Sequence, residues 1–235
     1  MKQSTIQTKG DLAVFFLMAL LSGFMIGVGG TASLLASATL GAWGKLVGAC
    51  LFSLGIFVII TKGMKLFTGM VADIPTLRTK AIWQLPLCFL GNAIGVAIVA
   101  VLARFSPIGD TVSFVGANLI LGKLSASSAL LKSFCSAVLC GWLITLSVWA
   151  PIYAPKRGLS ATVGVLLPII VFAFCGFDHS VANMLYFFFL GECSWRVVGY
   201  ILLSILGNAV GGVLLPLVML FKSKVDAKNE NLETK

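Results

Sequence analysis

Charged residues are scarce in this sequence, and histidine occurs only once. Charged side chains make up 11% of the 235 residues and hydrophobic side chains 59%. Because soluble domains carry about 25% charged residues, this composition excludes an ordinary soluble protein and indicates an integral membrane protein in contact with lipid. Little sequence lies outside the hydrophobic runs, so we expect no soluble catalytic or regulatory domain and no enzyme activity.

Motifs that mark other classes of membrane protein are also absent. The six cysteines form no Cys-x-x-Cys pair and lack neighbouring groups at metal-ligand spacing, so we predict packing roles and neither a metal ion nor a cofactor. An aquaporin-type channel would be expected to show two Asn-Pro-Ala turns, and an ammonium channel paired histidines; neither feature occurs. A channel for small neutral solutes and, less favoured, a membrane thiol oxidoreductase remain the alternatives.

The net charge of +9 comes from basic residues that are spread through the polar connections. They form no face interleaved with aromatic residues, so we predict no nucleic-acid partner. With both termini in the cytoplasm, ten basic residues lie inside and five outside, in agreement with the positive-inside rule. The inner residues are Lys2, Lys9, Arg78, Lys80, Lys156, Arg157, Lys222, Lys224, Lys228 and Lys235, and the outer residues are Lys45, Arg104, Lys123, Lys132 and Arg196.

Six hydrophobic runs are long enough to cross a bilayer, which needs about 20 apolar residues per helix. We therefore predict a short cytoplasmic N-terminus over 1–11, a six-span channel domain over 12–221 and a disordered cytoplasmic tail over 222–235. The runs are Leu12–Leu40, Leu46–Leu66, Ala81–Ala103, Ala129–Ala150, Leu159–Phe177 and Val197–Phe221, and a short seventh piece covers Val181–Leu190.

A short motif occurs twice, as "LGNAIG" at 90–95 and "LGNAVG" at 206–211. In each copy two glycines four positions apart allow close helix packing, and the asparagine, Asn92 or Asn208, can hydrogen-bond across the contact. The copies lie near the start of the third and sixth runs. Because each half then has three spans, the second half enters the membrane from the opposite side, which predicts an inverted repeat of three plus three helices.

The middle run of each half is interrupted. "KGMKLFTGMVADIP" at 62–75 carries Gly63, Gly69 and Pro75, and "GFDHSVANM" at 176–184 carries the single histidine. Broken helices expose backbone groups, which are tolerated at membrane depth only inside protein or beside water. Paired breaks therefore predict the substrate site. We expect Asp178 to cap the short helix that follows, and His179 to face the pathway.

These segments, "GFDHSVANM", "KLFTG" and the two "LGNA[IV]G" copies, resemble the formate/nitrite transporter family of bacterial anion channels over about residues 12–221. The resemblance implies an all-α, aquaporin-like homopentamer in the bacterial inner membrane, in which each protomer has its own pore and six spans with the second and fifth broken. It also implies small monovalent anions as substrates, such as formate, nitrite or hydrosulfide.

Carried over to matching positions, the resemblance implies a site built around His179 and Thr68. Asn183 of the same motif completes the predicted substrate pathway. The implied outer constriction consists of Phe52, Ile56 and Phe172, and the implied inner constriction of Leu66, Phe67 and Ile144. Lys132 and Lys65 are the predicted anion attractors.

Three features depart from the family pattern: Lys65 stands where relatives commonly have an acidic residue, Gly141 where many have asparagine, and the segment before the first span is short.

Two routes of passage remain open. The substrate crosses either as an anion guided by donors from His179 and Thr68, or as the neutral acid after taking up a proton. We favour the second route, with His179 as hydrogen-bond partner and possible proton relay, because histidine can change charge in the physiological pH range.

Overall fold

The computed structural model describes residues 6, 8–76, 81–125, 129–153 and 158–233, and these residues fold into helices and their connections. Two short 3-10 helices, Gly41–Trp43 and Val71–Thr76, lie between the α-helices. The α-helices are α1 Lys9–Thr39, α2 Gly44–Thr61, α3 Phe67–Met70, α4 Gln84–Arg104, α5 Gly109–Ser125, α6 Ala129–Tyr153, α7 Leu159–Cys175, α8 Ser180–Leu190 and α9 Trp195–Glu233.

Five helices within the described residues are long and apolar enough to cross a bilayer, and the count rises to six if α7 and α8, which are bent by 43° at their break, form one span. This agrees with the predicted number of hydrophobic runs. In the second span the chain leaves helical geometry after Thr61 and resumes it at Phe67. Gly63 and Gly176, at the two breaks, have φ of 66° and 74°, a region that glycine adopts without strain.

Helix α5 was not predicted. Its buried residues Gly109, Val112, Gly116 and Ile120 recur every three or four positions, and Asp110 stands in its first turn. Both are ordinary helix signals, but the low hydropathy of the segment hid them in a search for membrane spans. The helix packs against α8 and α1, so it lies beside the second break.

The C-terminal segment also differs from expectation. Helix α9 continues to Glu233, whereas a disordered tail was predicted from 222 onward. Lys222 donates a hydrogen bond to Asp226 at 2.8 Å, one helical turn away. The exposed segment between Lys222 and Glu230 thus extends the helix beyond the apolar stretch.

The core of each half is a pair of closely packed helices, α1 with α4 and α6 with α9. Gly91 and Gly95 lie against Ala19 and Leu20, and in the other half Gly207 and Gly211 lie against Ala137 and Val138. The two copies of the repeated motif therefore make equivalent contacts, which supports the predicted repeat. The inverted relation of the two halves stays a prediction.

Candidate functional site

The first break is held by Asn92 on α4. The Asn92 side chain accepts a hydrogen bond from the backbone N–H of Phe67 (2.8 Å) and donates to the carbonyl oxygens of Lys65 (2.9 Å) and Ala19 (2.7 Å). One buried amide thus satisfies backbone groups on both sides of the break and ties them to α1. This contact fixes Thr68, which follows Phe67 in α3.

The second break is held in the same way by Asn208 on α9. Its side chain accepts from the backbone N–H of Ser180 (2.8 Å) and donates to the carbonyl oxygens of Asp178 (2.8 Å) and Ala137 (2.8 Å). The repeated asparagines were expected to hydrogen-bond across a helix contact. They do so, and they also hold the non-helical backbone of the two breaks.

The two breaks bring Thr68 and His179 into contact. Thr68 Oγ1 lies 2.9 Å from His179 Nε2, and both side chains are buried. His179 is the N-cap of α8: its Nδ1 accepts a hydrogen bond from the backbone N–H of Ala182 at 3.1 Å. Because an accepting nitrogen carries no proton, the neutral ring has its proton on Nε2 and donates it to Thr68. The Thr68 hydroxyl proton is then free to donate elsewhere.

The predicted capping role of Asp178 is wrong, because His179 occupies the N-cap position. Asp178 instead turns toward α5, α8 and α9. Its Oδ1 accepts from Lys123 Nζ at 2.6 Å, Asn183 Nδ2 at 2.9 Å and the Tyr200 hydroxyl at 2.9 Å. The carboxylate is 5% exposed, so these donors compensate for its burial.

Two cavities lie next to the central residues: His179 lines the first, and Leu66 and Gly69, which are close to Thr68 in the chain, line the second. The first, of about 120 Å³, is lined by residues that include Phe52, Phe172, His179 and Asn183, and we call it the His179 cavity. The second, of about 70 Å³, is lined by residues that include Lys65 and Leu66, and we call it the Lys65 cavity. Along α2, residues near its start line the first cavity and residues near its end line the second.

Two aromatic rings in the wall of the His179 cavity contact each other and the histidine. The rings of Phe52 and Phe172 meet edge to face with centroids 5.6 Å apart. The Phe172 ring stacks on the His179 imidazole at 5.8 Å. The structure thus brings together these two residues of the predicted outer constriction with the histidine.

The remaining predicted constriction residues are buried. Ile56, Phe67 and Ile144 are all less than 8% exposed and line neither cavity. Ile56 stands on α2 between Phe52, which lines one cavity, and Ile59, which lines the other. Leu66 is buried and lines the Lys65 cavity.

The two predicted anion attractors occupy different surroundings. Lys65 is half-buried and lines the Lys65 cavity, to which Asp73 also contributes. Lys132 is exposed on α6 and lines neither cavity. Gly141 packs directly on the backbone of Asn208, so a larger side chain at this position would overlap α9.

Sequence reasoning missed the residues that support the site from a distance. Lys123 and Tyr200 both bind Asp178 but lie 55 and 22 positions away from it. Lys123 was placed in an outer loop, whereas it lies in the last turn of α5. A lone aspartate in an apolar segment could have prompted a search for a basic partner, since buried charges are paired.

The chain is similar to known proteins over most of its length. The profile of the formate/nitrite transporter family matches residues 1–222. The probable formate transporter of Methanothermobacter thermautotrophicus is 28% identical over an alignment that covers 89% of this chain and 88% of the relative. The nitrite transporter NirC of Salmonella typhimurium is 30% identical, with coverage of 72% and 67%.

A solved structure described as a pentameric formate channel with formate bound has the same fold. It superposes with a TM-score of 0.74 at 21% identity and covers 94% of this chain and 100% of that chain. The two helix breaks, the buried Thr68–His179 pair and the family match over nearly the whole length lead to one conclusion. The chain belongs to the formate/nitrite transporter family.

Proposed function

We propose that this protein conducts small monovalent anions of weak acids across the membrane, through a pathway within each protomer. The relatives it matches are a probable formate transporter and a nitrite transporter by name, which supports formate and nitrite as substrates. Hydrosulfide belongs to the same chemical class. It is small and monovalent, and its conjugate acid is neutral.

The observation that carries the proposal is the buried Thr68–His179 pair between two cavities. Two helix breaks, each held by an asparagine, deliver one polar side chain apiece to the same point. Polar groups at membrane depth mark a pathway by default, because they are costly without a use. Here they provide donors in an otherwise apolar passage.

The apolar passage favours transfer as the neutral acid. Moving an isolated ion from water into a dry protein interior costs several kcal/mol of free energy, even after the protein relaxes around it. Protonating a carboxylic acid of pKa about 4 at pH 7 costs about 4 kcal/mol, and a weaker acid costs less. Protonation therefore removes a penalty comparable to its own cost, and the balance improves as the acid becomes weaker.

His179 acts in this scheme mainly as a fixed hydrogen-bond donor. Its Nδ1 is occupied by the Ala182 amide, so a second proton on the ring would face another N–H group and break the helix cap. The Nε2 proton goes to Thr68, and the Thr68 hydroxyl donates to the substrate oxygen or sulfur. The proton that neutralises the anion is then taken from the bulk aqueous phase, through hydronium in the cavity, so that no hydroxide is left beside the substrate.

The predicted constrictions and lysines complete the pathway. Phe52, Ile56 and Phe172 on one side, and Leu66, Phe67 and Ile144 on the other, disfavour charge between the cavities. Asn183 lines the His179 cavity and offers its amide oxygen to the protonated substrate. Lys65 draws the anion to the second cavity; the predicted role of Lys132 is weakened by its position outside both.

We further propose a homopentamer in the bacterial inner membrane, with both termini in the cytoplasm and the His179 cavity facing outward. The pentameric formate channel with the same fold supports the assembly. The ten-to-five distribution of basic residues supports the orientation.

The proposal is tested by stopped-flow uptake into proteoliposomes that contain a pH-sensitive dye. Formate, nitrite and hydrosulfide are compared between pH 5 and 8, with protein-free liposomes as the control. We expect protein-dependent flux of at least one of them, with an internal pH change that reports net transfer of the acid. No flux of any of the three would overturn the proposed function.

A His179→Phe variant tests the site. It keeps an aromatic ring that can stack on Phe172 and removes the Nε2 donor and the helix cap. We expect altered selectivity or pH dependence of the flux. Flux identical to that of the wild type at every pH between 5 and 8 would remove His179 from the proposed mechanism.

A further inference from the structure

The wall of the His179 cavity carries a cation that the proposed mechanism does not yet use. Two lysines line the cavity, Lys45 at the start of α2 and Lys123 on α5. Lys123 is bound to the Asp178 carboxylate at 2.6 Å, so its charge is compensated locally. Lys45 forms no ion pair within the described part of the chain. The net positive charge of this cavity therefore comes from Lys45.

The Lys45 ammonium group lies against an aromatic ring. It is 5.3 Å from the centroid of the Phe174 ring on α7, so a cation–π contact joins α2 to α7. A ring contact holds the cation without neutralising its charge. The other faces of the ammonium group stay available to an anion.

Two serine hydroxyls line the same cavity. Ser33 and Ser37 are one turn apart on α1 and face Gly48 on α2. A Cβ atom placed on Gly48 would lie 3.0 Å from Ser33 Oγ and 3.2 Å from Ser37 Oγ, so both hydroxyls converge on a point where α2 has no side chain. Among the described residues, neither hydroxyl has a hydrogen-bond partner.

These groups lie in order along the cavity wall. Lys45, Gly48 and Phe52 share one face of α2, at spacings of three and four residues. The exposed fraction of the residues falls along this face of α2 and the facing side of α1. Lys45 and Ser37 are exposed, Ser33 is half-buried and Phe52 is buried. An anion that enters the cavity meets the ammonium group first, then the hydroxyls and finally the aromatic rings.

We propose that Lys45, Ser37 and Ser33 form a recruitment site for the small monovalent anion, distinct from the central Thr68–His179 site. Lys45 concentrates the anion at the cavity mouth, and the two hydroxyls replace water molecules that the anion loses before it reaches Phe52. This inference rests on the proposed function, whose central site it extends toward the aqueous phase.

The site is tested by formate influx at low and high ionic strength. We expect Lys45→Met to raise the half-saturation concentration about fivefold at low salt, because steering by a charge in a cleft falls steeply with ionic strength. The maximal flux stays within twofold of the wild type, since the central site is intact. Lys45→Arg keeps the charge and restores wild-type behaviour.

Two further variants separate the site from general surface charge. Arg196→Met removes an exposed cation that lines neither cavity, and we expect no change. The double variant Ser33→Ala, Ser37→Ala keeps all charges and raises the half-saturation concentration about threefold at both salt concentrations, because hydrogen bonds rather than charge are lost. A Lys45→Met half-saturation within twofold of wild type at low salt would overturn the proposal.

A binding measurement distinguishes failure of this site from failure of the proposed function. Saturation-transfer NMR on the formate C–H proton reports occupancy in detergent-solubilised protein without any transport. A weaker signal for Lys45→Met than for the wild type supports the site even where no flux is seen. Equal signals would overturn it, whatever the transport assay shows.

Discussion

Asp178 carries a negative charge at a depth where such a charge needs compensation. Lys123, Asn183 and Tyr200 all direct donors to the same carboxylate oxygen, from three different helices. Its neighbour His179 takes the helix cap. Adjacent residues of one motif therefore have separate roles, since Asp178 holds the loop to the rest of the protein and His179 contacts Thr68 and lines the His179 cavity.

Removing the cation that binds Asp178 is expected to destabilise the protein. Lys123→Met leaves a buried carboxylate without its ion pair, which costs about 3 kcal/mol, the lower end for a buried pair because Lys123 is 24% exposed. SDS titration in mixed micelles measures the free energy of unfolding. The double variant Lys123→Met, Asp178→Asn should recover part of the loss, and a loss below about 0.5 kcal/mol in the single variant would contradict a compensating role.

Loss of the Thr68 hydroxyl is expected to reduce formate flux even when the volume of the side chain is kept. Thr68→Val keeps the shape and removes the acceptor for His179 Nε2–H, so a buried donor loses its partner at a cost of about 1–3 kcal/mol. Formate flux should fall about tenfold or more. Thr68→Ser retains the hydroxyl and serves as the control, with flux close to that of the wild type. Equal flux in the valine variant would show that substrate does not use this hydroxyl.

Sequence patterns indicated the residues of the proposed pathway more readily than those that support them. Thr68 and His179 stand in recognisable motifs next to helix breaks, and the structure brings them into contact. Lys123 and Tyr200 have no local signal, because their roles come from tertiary contacts with Asp178. In the sequence, the charge of Lys45 was used only to predict the orientation in the membrane. The structure is needed to show that this residue lines the His179 cavity.

The helix breaks depend on their asparagines, and each break delivers half of the central site. Asn92→Leu removes one acceptor and two donors from buried backbone groups, with an expected loss of about 3 kcal/mol or more in unfolding free energy. Asn208→Leu should cause a similar loss. Either variant should also abolish flux, because Thr68 and His179 no longer meet. Wild-type flux in either one would contradict this account of the breaks.

The close helix pairs require glycine at their contacts. A Cβ on Gly95 would overlap the carbonyl oxygen of Leu20, and one on Gly211 that of Val138. Alanine at either position should destabilise the protein by about 1–3 kcal/mol, measured by the same SDS titration. Gly122→Ala on α5 has no heavy atom within 4 Å of the added Cβ and serves as the matched control. It should be neutral or slightly stabilising.

Elements with strong hydropathy were predictable, and elements without it were not. The six runs correspond to helices or broken helices, because burial in lipid demands long apolar segments. Helix α5 buries only a narrow face against α8 and α1. Its hydrophobic periodicity is therefore a weak signal in the sequence, although tertiary contacts hold the helix in place. The C-terminal part of α9 is polar, and composition alone suggested disorder there.

In the whole molecule, the proposed pathway lies inside one protomer. The two cavities and the Thr68–His179 pair are formed by one chain, so the proposed pentamer would contain five parallel pathways. Co-expression of wild-type and His179→Phe chains should give mixed pentamers in which flux falls in proportion to the fraction of variant protomers. Affinity-purified assemblies of known composition in proteoliposomes measure this. A fall with the fifth power of the wild-type fraction would indicate a pathway shared between protomers.

The apolar separation between the cavities also affects the energy supply of the cell. Proton hopping needs an unbroken file of hydrogen-bonded water. The rings of Phe52 and Phe172 meet in the wall of the His179 cavity, and Thr68 and His179 are bonded to each other. We therefore expect free protons and hydroxide ions to be stopped while the acid molecule passes. A membrane can then hold many such pathways open without discharging its protonmotive force, and each acid molecule exported takes along only its own proton.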